Sequence, residues 1–386
     1  MSEPASDVVV IGGGIVGACC AYFAARAGLS VTVVDRSSVG SGTTSRGEGN
    51  VLVSDKGPGA ELRLAQLSGR RWLEIGDDVG PANLELERKG GLVVAPTETD
   101  LAGLQRFAEQ QAAADVVVEQ VAADGLPAYE PHVAATLAGG VAYPEDLQVQ
   151  PVLAAATLLA RARAAGARVH TGSEVTGLAR GRDGRATAVR AGAEQFPAGA
   201  IVNAAGTWGG KVGELLGAPI PVLPRRGFVL VTEPLPRLVR RKVYTADYVS
   251  NVASEGAGLE TSVVVEGTRG GTVLIGASRE RVGFDTTMSV DVVRRLAAQA
   301  VAIFPVLADV SLLRVYQGFR PYCPDHLPVI GADPRVGGLF HACGHEGAGV
   351  GLSAGTGALV SELITGAAPS IDPQPFAPTR FVQVSA

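Results

Sequence analysis

The chain has 386 residues, 46% of them hydrophobic, with 33 Lys and Arg against 38 Asp and Glu and a formal net charge of −5. That length exceeds what one hydrophobic core usually organises, so two lobes are expected. The mild acidity argues against nucleic acid or an anionic membrane as main partner, because either demands a basic patch. No stretch approaches the roughly 18 uninterrupted apolar residues of a membrane span.

Residues 7–12 are a short apolar run closed by glycines, which predicts a buried parallel strand. The start through Glu3 and Asp7 leaves no room for a signal peptide. Residues 15–28 follow as a small-residue helix stopped by Gly28, and 31–35 is a second apolar strand ending in Asp35. Cys19 and Cys20 fall in that helix. With Cys323 and Cys343 they show no metal-ligand spacing, so reduced thiols, no metal and a cytoplasmic location are expected.

Residues 40–50 are rich in Gly, Ser and Thr, as in a loop that backbone and ligand approach closely. Helices are predicted over 60–75 and 101–113, the second from Leu101, Leu104, Phe107 and Ala108 at helical spacing, with a strand over 91–95 between them. An alanine-rich helix over 152–165 and strands over 168–178 and 200–202 return the chain to its first lobe. Residues 227–232, 262–265 and 273–276 read as antiparallel strands, the last two joined by a Gly-rich hairpin turn. The basic run 237–242, broken by Leu238 and Val239, reads as a solvated loop, and Arg225-Arg226-Gly227 as a turn. A helix over 290–304, strands over 327–331 and 339–342 and a helix over 349–364 complete the chain.

The expected fold class is α/β. A discontinuous Rossmann-type lobe is drawn from 1–85, 145–215 and 318–370, and a mostly antiparallel α+β substrate lobe from 86–144 and 216–317 is inserted in it. Residues 371–386 form a tail.

Gly12-x-Gly14-x-x-Gly17 lies between the first predicted strand and helix, the context a dinucleotide fingerprint requires. Gly12 permits the tight turn, Gly14 lets backbone approach a pyrophosphate, and Gly17 lets helix pack on strand. The helix N-terminus offers unpaired N–H groups to the phosphates. Asp35 closes the second strand, where a carboxylate accepts from ribose hydroxyls and disfavours a 2′-phosphate. NADP is thereby set aside; NAD and FAD both remain.

Five separated blocks, 8–17, 43–50, 202–208, 318–331 and 344–351, carry a resemblance over nearly the whole length. The chain resembles the FAD-dependent D-amino-acid-oxidase superfamily, in the branch of glycine oxidase, D-hydroxyproline dehydrogenase, opine oxidase subunits and hydrogen cyanide synthase subunits. The resemblance implies non-covalent FAD. Its contacts would be Gly12, Gly14, Ile15, Val16, Gly17, Asp35 and Arg36 in the first unit, and Thr43, Thr44, Glu48, Gly49 and Asn50 in the loop. Val175 would meet the adenine through its backbone, and Ala205, Gly206 and Trp208 would pack beside the cofactor. Gly344, His345, Glu346, Gly347, Ala348, Gly349 and Val350 form a second Gly-rich loop opening a helix, suited to negative charge on a reduced flavin. A nicotinamide enzyme has no need of that second loop, which favours FAD. Relatives often carry Ala and Met where this chain has Glu48 and Asn50, so contact there is expected through backbone. His326 stands where relatives usually have glycine.

The resemblance further implies oxidation of a C–N bond in an amino acid or N-substituted amino acid, with hydride passing to flavin N5 and an imine as product. Arg320, in Gly318-Phe319-Arg320-Pro321, is the candidate carboxylate anchor, because a guanidinium fork matches a carboxylate bidentately. An arginine paired with Asp325 or a buried carbonyl is the alternative. His345, Tyr244 and Tyr248 are further candidates, and Arg226 is expected to support contact between the lobes. The expected partners are a small carboxylate-bearing amine and either O2 or an electron-accepting protein, within a homo-oligomer or a heteromeric complex. A flavin subunit of a heteromeric dehydrogenase and a flavin hydroxylase are the other readings.

Overall fold

The computed structural model describes residues 4–247 and 256–381, so Tyr248 lies outside the described residues. Two eight-stranded sheets organise the chain. The first runs in the order Val329–Ala332, Leu339–Cys343, Glu194–Asn203, Ser6–Ile11, Val31–Val34, Arg168–His170. All neighbours in it are parallel except the edge pair Val329–Ala332 and Leu339–Cys343. Strands Gly177–Arg180 and Ala186–Ala191 extend it antiparallel from Glu194–Asn203.

The first strand is apolar on both sides because both faces of this sheet are covered. Val8 and Val10 face a core shared with helices Ile15–Arg26, Ala60–Val79, Pro151–Ala164 and Gly349–Thr365. Val9 and Ile11 face a second cluster with Phe196, Ile201 and Leu339. Helix Gly349–Thr365 is long and apolar enough, with the turn before it, to cross a membrane by composition. Here it lies against helix Ile15–Arg26 so closely that a Cβ on Gly357 would stand 2.6 Å from the Cys19 carbonyl carbon.

The second sheet runs Leu312–Tyr322, Leu223–Thr232, Val273–Arg279, Glu260–Gly267, Lys242–Thr245, Gly91–Ala95, Gly139–Tyr143, Glu119–Ala122. It is antiparallel except where Lys242–Thr245 meets Gly91–Ala95. Period-two alternation divides its faces. Phe228, Leu230, Val263, Val265 and Ile275 pack with Leu296 and Ala300 of helix Val290–Ile303. The opposite face, carrying Gly227 and Val229, borders a cavity.

Three expectations change. Arg225 and Arg226 do not form a turn; they sit inside strand Leu223–Thr232, where Arg225 pairs with Arg320 across the ladder. The boundary expected at 318 falls within strand Leu312–Tyr322, which pairs with Leu223–Thr232 from end to end. The solvated loop expected over 237–242 ends in Lys242, which begins a strand and is 2% exposed. Non-local pairing decides all three.

Gly357→Val forces a branched side chain against the Cys19 backbone and is expected to cost about 1–3 kcal/mol. Thermal or denaturant unfolding would read this as a lower midpoint; an unchanged midpoint would contradict the close helix contact.

Candidate active site

One cavity of about 320 Å³ runs from Val175 and Arg36, past the Gly12–Gly14 turn, to Gly47, Glu48, Gly347 and Arg320. At its first end the helix starting at Ile15 has no side-chain cap on Gly14. The Ile15 N–H donates to Thr44 Oγ1 at 3.0 Å. Asp35 accepts from the Gly13 N–H at 2.6 Å and from Ser37 N–H at 2.7 Å, which fixes its carboxylate at the cavity edge. A Cβ on Gly12 would stand 2.5 Å from the Ala204 carbonyl oxygen. One on Gly17 would overlap the Gly12 carbonyl. Trp208 lies under the Arg36 guanidinium, 4.2 Å from its carbon to the ring centroid, and both line the cavity.

The loop after this unit ties the two sheets together. Thr43 Oγ1 and Thr207 Oγ1 both donate to the Phe319 carbonyl, at 2.8 and 2.5 Å. Tyr316 donates to the Gly47 carbonyl at 3.3 Å. Arg320, the next residue after that doubly bonded carbonyl, is half-buried and donates from Nη1 to the Ser278 carbonyl at 2.7 Å. Of the two alternatives for Arg320, the buried carbonyl is therefore met, while Asp325 pairs with Arg380 at 2.6 Å. Arg320 also lines the cavity.

The second Gly-rich loop closes the far end. Glu346 has φ of 48°, the left-handed region, and His326 in the facing turn has φ of 57°. Their side chains meet, His326 Nδ1 to Glu346 Oε2 at 2.9 Å, and Arg225 Nη1 reaches Glu346 Oε1 at 2.5 Å. Burial would raise the Glu346 carboxyl, but the bonds from His326 and Arg225 outweigh it and hold it below its ordinary value. The bond to Glu346 raises the His326 imidazole. Arg225 is fully buried and also pairs with Glu260 at 3.0 Å. The link between the sheets expected of Arg226 thus falls to Arg225; Arg226 pairs with Glu280 and Asp285 instead. His345 lines the cavity and meets Thr356 Oγ1 through Nε2 at 2.9 Å. Burial pushes its imidazole down to about 3, so the ring is neutral.

Most of the residues expected around the cofactor come together here. Gly12, Gly14, Ile15, Val16, Asp35, Arg36, Thr43, Thr44, Glu48, Asn50, Val175, Ala205, Gly206, Trp208, His345, Glu346, Gly347, Gly349 and Val350 line the cavity. Gly17, Gly49, Gly344 and Ala348 stand behind the lining. Gly49 is needed because a Cβ there would overlap the Val149 carbonyl. Tyr244 is brought elsewhere: it is fully buried and donates to Ser54 Oγ at 2.6 Å, in a cluster with Asp146 away from the lining. Burial holds its phenol well above the ordinary value, and it is not a cavity residue. Arg46, Gly227 and Gly318, not expected from the sequence, also line the cavity: strand pairing sets Gly227 opposite Gly318, and Arg46 packs against Gly318.

These residues fit FAD. Beyond Ile15, whose N–H is met by Thr44, the first turn of the helix offers N–H groups for a pyrophosphate. At Gly206 a Cβ would stand in open space, which leaves room beside the backbone. Glu48 Oε1 and Asn50 Oδ1 are buried acceptors without a hydrogen-bond partner among the described residues. Neither Cys323 nor Cys343 lines the cavity.

A family model described as "FAD dependent oxidoreductase" (DAO) matches residues 7–363. The hydrogen cyanide synthase subunit HcnC of Pseudomonas aeruginosa is 29% identical, over 97% of this chain and 96% of that protein. Glycine oxidase of Pseudomonas putida is 30% identical, over 96% of this chain and 98% of that protein. The crystal structure of glycine oxidase from Geobacillus kaustophilus superimposes with a TM-score of 0.88 at 26% identity, covering 98% of this chain and all of the other.

Two outcomes are expected. Asp35→Ala removes the carboxylate expected to accept from the ribose and frees the Gly13 N–H, so FAD titration of the stripped protein should show affinity lowered by about tenfold or more; unaltered affinity would remove Asp35 from the site. The neutral His345 stabilises the fold fully above the ordinary imidazole value of 6.5, and this is lost as pH falls toward about 3, because the unfolded ring takes up a proton that the folded one does not. The stability of His345→Asn should therefore fall less steeply than that of the parent between those limits, and equal slopes would contradict the buried neutral ring.

Proposed function

The chain belongs to the DAO family of FAD-dependent oxidoreductases, and from that premise we propose that it oxidises a C–N bond of an amino acid or N-substituted amino acid. The observation that carries the reading is the continuity of one cavity from the dinucleotide turn to Arg320. When bound, FAD supplies the two-electron acceptor for the C–N bond. The chain's own work is to hold and orient the substrate. Arg320 takes the carboxylate on the part of its guanidinium that lines the cavity, and Pro321 stiffens the backbone behind it. Phe319, Val229 and Val350 give that end apolar walls. His345, Glu346, Gly347 and Gly349 line the cofactor end, with neutral His345 adding no charge.

The likenesses to glycine oxidase support an amino-acid substrate. The likeness to HcnC, itself a subunit of hydrogen cyanide synthase, supports a second reading in which this chain passes electrons to a partner. Buried cysteines off the cavity support non-covalent FAD and suit a cytoplasmic protein.

Anaerobic mixing of the FAD-loaded protein with D-, L- and N-alkyl amino acids is expected to bleach the flavin for at least one. With that substrate, Arg320→Ala should raise KM about thirtyfold or more, as expected for a lost charged hydrogen bond of ~2 kcal/mol. No bleaching across the panel, or an unchanged KM, would overturn the reading. Peroxide release in air, against turnover with an artificial dye, separates oxidase from electron-passing subunit.

A further inference from the structure

Between strand Val273–Arg279 and helix Val290–Ile303 the chain forms a loop in which residues 281–283 and 285–288 are exposed, yet Phe284 is half-buried. The backbone on one side of that ring is tied to the antiparallel sheet. Arg226 Nη1 donates to the Asp285 and Thr287 carbonyls, both at 3.1 Å, and Gln317 Nε2 donates to the Thr286 carbonyl at 2.5 Å. On the other side Gly283, with φ of 64°, turns the chain just before Phe284. From this anchored loop Phe284 reaches the other half of the molecule.

There its ring stacks on Trp208, with centroids 5.6 Å apart and planes 13° apart, and meets Phe319 at 5.2 Å and 63°. The Lys211 ammonium lies 4.6 Å from the Phe284 centroid. Trp208 and Phe319 line the cavity and Phe284 does not, so whatever it does to a bound molecule passes through those two rings. The two wall residues come from different halves, already tied where Thr207 Oγ1 donates to the Phe319 carbonyl. Phe284 packs on both sides of that seam.

Place in the cavity decides which part of a ligand feels this. Trp208 lies under Arg36, 4.2 Å from the guanidinium carbon to the ring centroid. Arg36 follows Asp35, whose carboxylate accepts from the Gly13 N–H of the dinucleotide turn. The braced indole thus belongs to the end built by the first strand–helix–strand unit, where the ADP half of FAD is expected. A half-buried indole without a neighbour samples several rotamers, and a ligand that packs on it must first order it. Stacked on Phe284, the ring is ordered in advance.

We propose that Phe284 is a positioning residue for the ADP half of FAD: carried on a strap from the antiparallel half, it holds the Trp208 ring in the cavity wall before the cofactor binds and slows the cofactor's release afterwards. Retention of FAD in this way is independent of which amine the site oxidises.

Two measurements test it, both at a temperature where every variant is fully folded. Release of FAD from the loaded protein is followed on dilution by the recovery of free-flavin fluorescence, and ADP is titrated by calorimetry into the protein stripped of FAD. Phe284→Ala should release FAD roughly tenfold faster and bind ADP roughly tenfold more weakly, the scale of one lost aromatic pair with its buried area. Phe284→Tyr keeps the ring and should stay within about threefold of the parent. Trp208→Ala should weaken ADP by itself, and adding Phe284→Ala to it should cost little more, because the two act as one unit. Unchanged release and ADP affinity in Phe284→Ala overturn the proposal. Faster release with ADP affinity kept would move the effect to Phe319 and the flavin half, and overturns the ADP assignment. A second loss of similar size in the double variant would mean general loosening rather than action through Trp208, and overturns it too. Parent-like ADP binding by Trp208→Ala would take both rings out of the ADP site.

Discussion

Glycines on one face of the antiparallel sheet set how closely the two halves of the molecule approach. A Cβ on Gly318 would overlap the Arg46 side chain, one on Gly227 would overlap the Arg320 guanidinium, and one on Gly276 would crowd Glu48. With hydrogen in place of side chains, the loop 46–48 lies flat against the sheet and Arg320 reaches across Gly227 to the next strand. Thr43 and Thr207 then bond the Phe319 carbonyl, which fixes the register of the loop against Arg320. The positions of Glu48 and Arg320 both depend on that close approach.

Electrostatics holds the other end. Arg225 is buried, and a buried guanidinium is tolerated only with partners. Glu346 and Glu260 supply them, one from the second Gly-rich loop and one from the antiparallel sheet. Histidine where relatives have glycine makes sense in the same network, because His326 adds a bond to Glu346 while keeping the left-handed backbone of the turn. A single chain of charges therefore joins the second Gly-rich loop to the antiparallel sheet, and loss of Arg225 or Glu346 takes an ion pair from each of its neighbours.

The first unit was legible in the sequence because its signals are local. The unbroken apolar run, the Gly12–Gly17 spacing and Asp35 fall within a strand, helix and strand that form where their spacing implies. The antiparallel half was legible as strands but not as neighbours. Nothing near Tyr244 in the chain says that its strand runs parallel to Gly91–Ala95, with the phenol buried on Ser54. Lys242 looked like part of a basic surface run and is instead covered by Glu48 and Glu266, which lie far from it in sequence. Arg225 was hidden for the same reason: its value comes from pairing with Arg320 and from a loop more than a hundred residues away. Polar residues buried by distant partners have no periodicity to announce them.

One cavity is proposed to hold both FAD and the substrate carboxylate, with Arg320 at the junction. A crystal structure of the FAD-loaded protein with a small carboxylate bound tests it most directly. FAD is expected to extend from Asp35 to the 344–349 loop, with the carboxylate oxygens within hydrogen-bond distance of the Arg320 guanidinium. A carboxylate bound elsewhere, with Arg320 turned away from it, would contradict it.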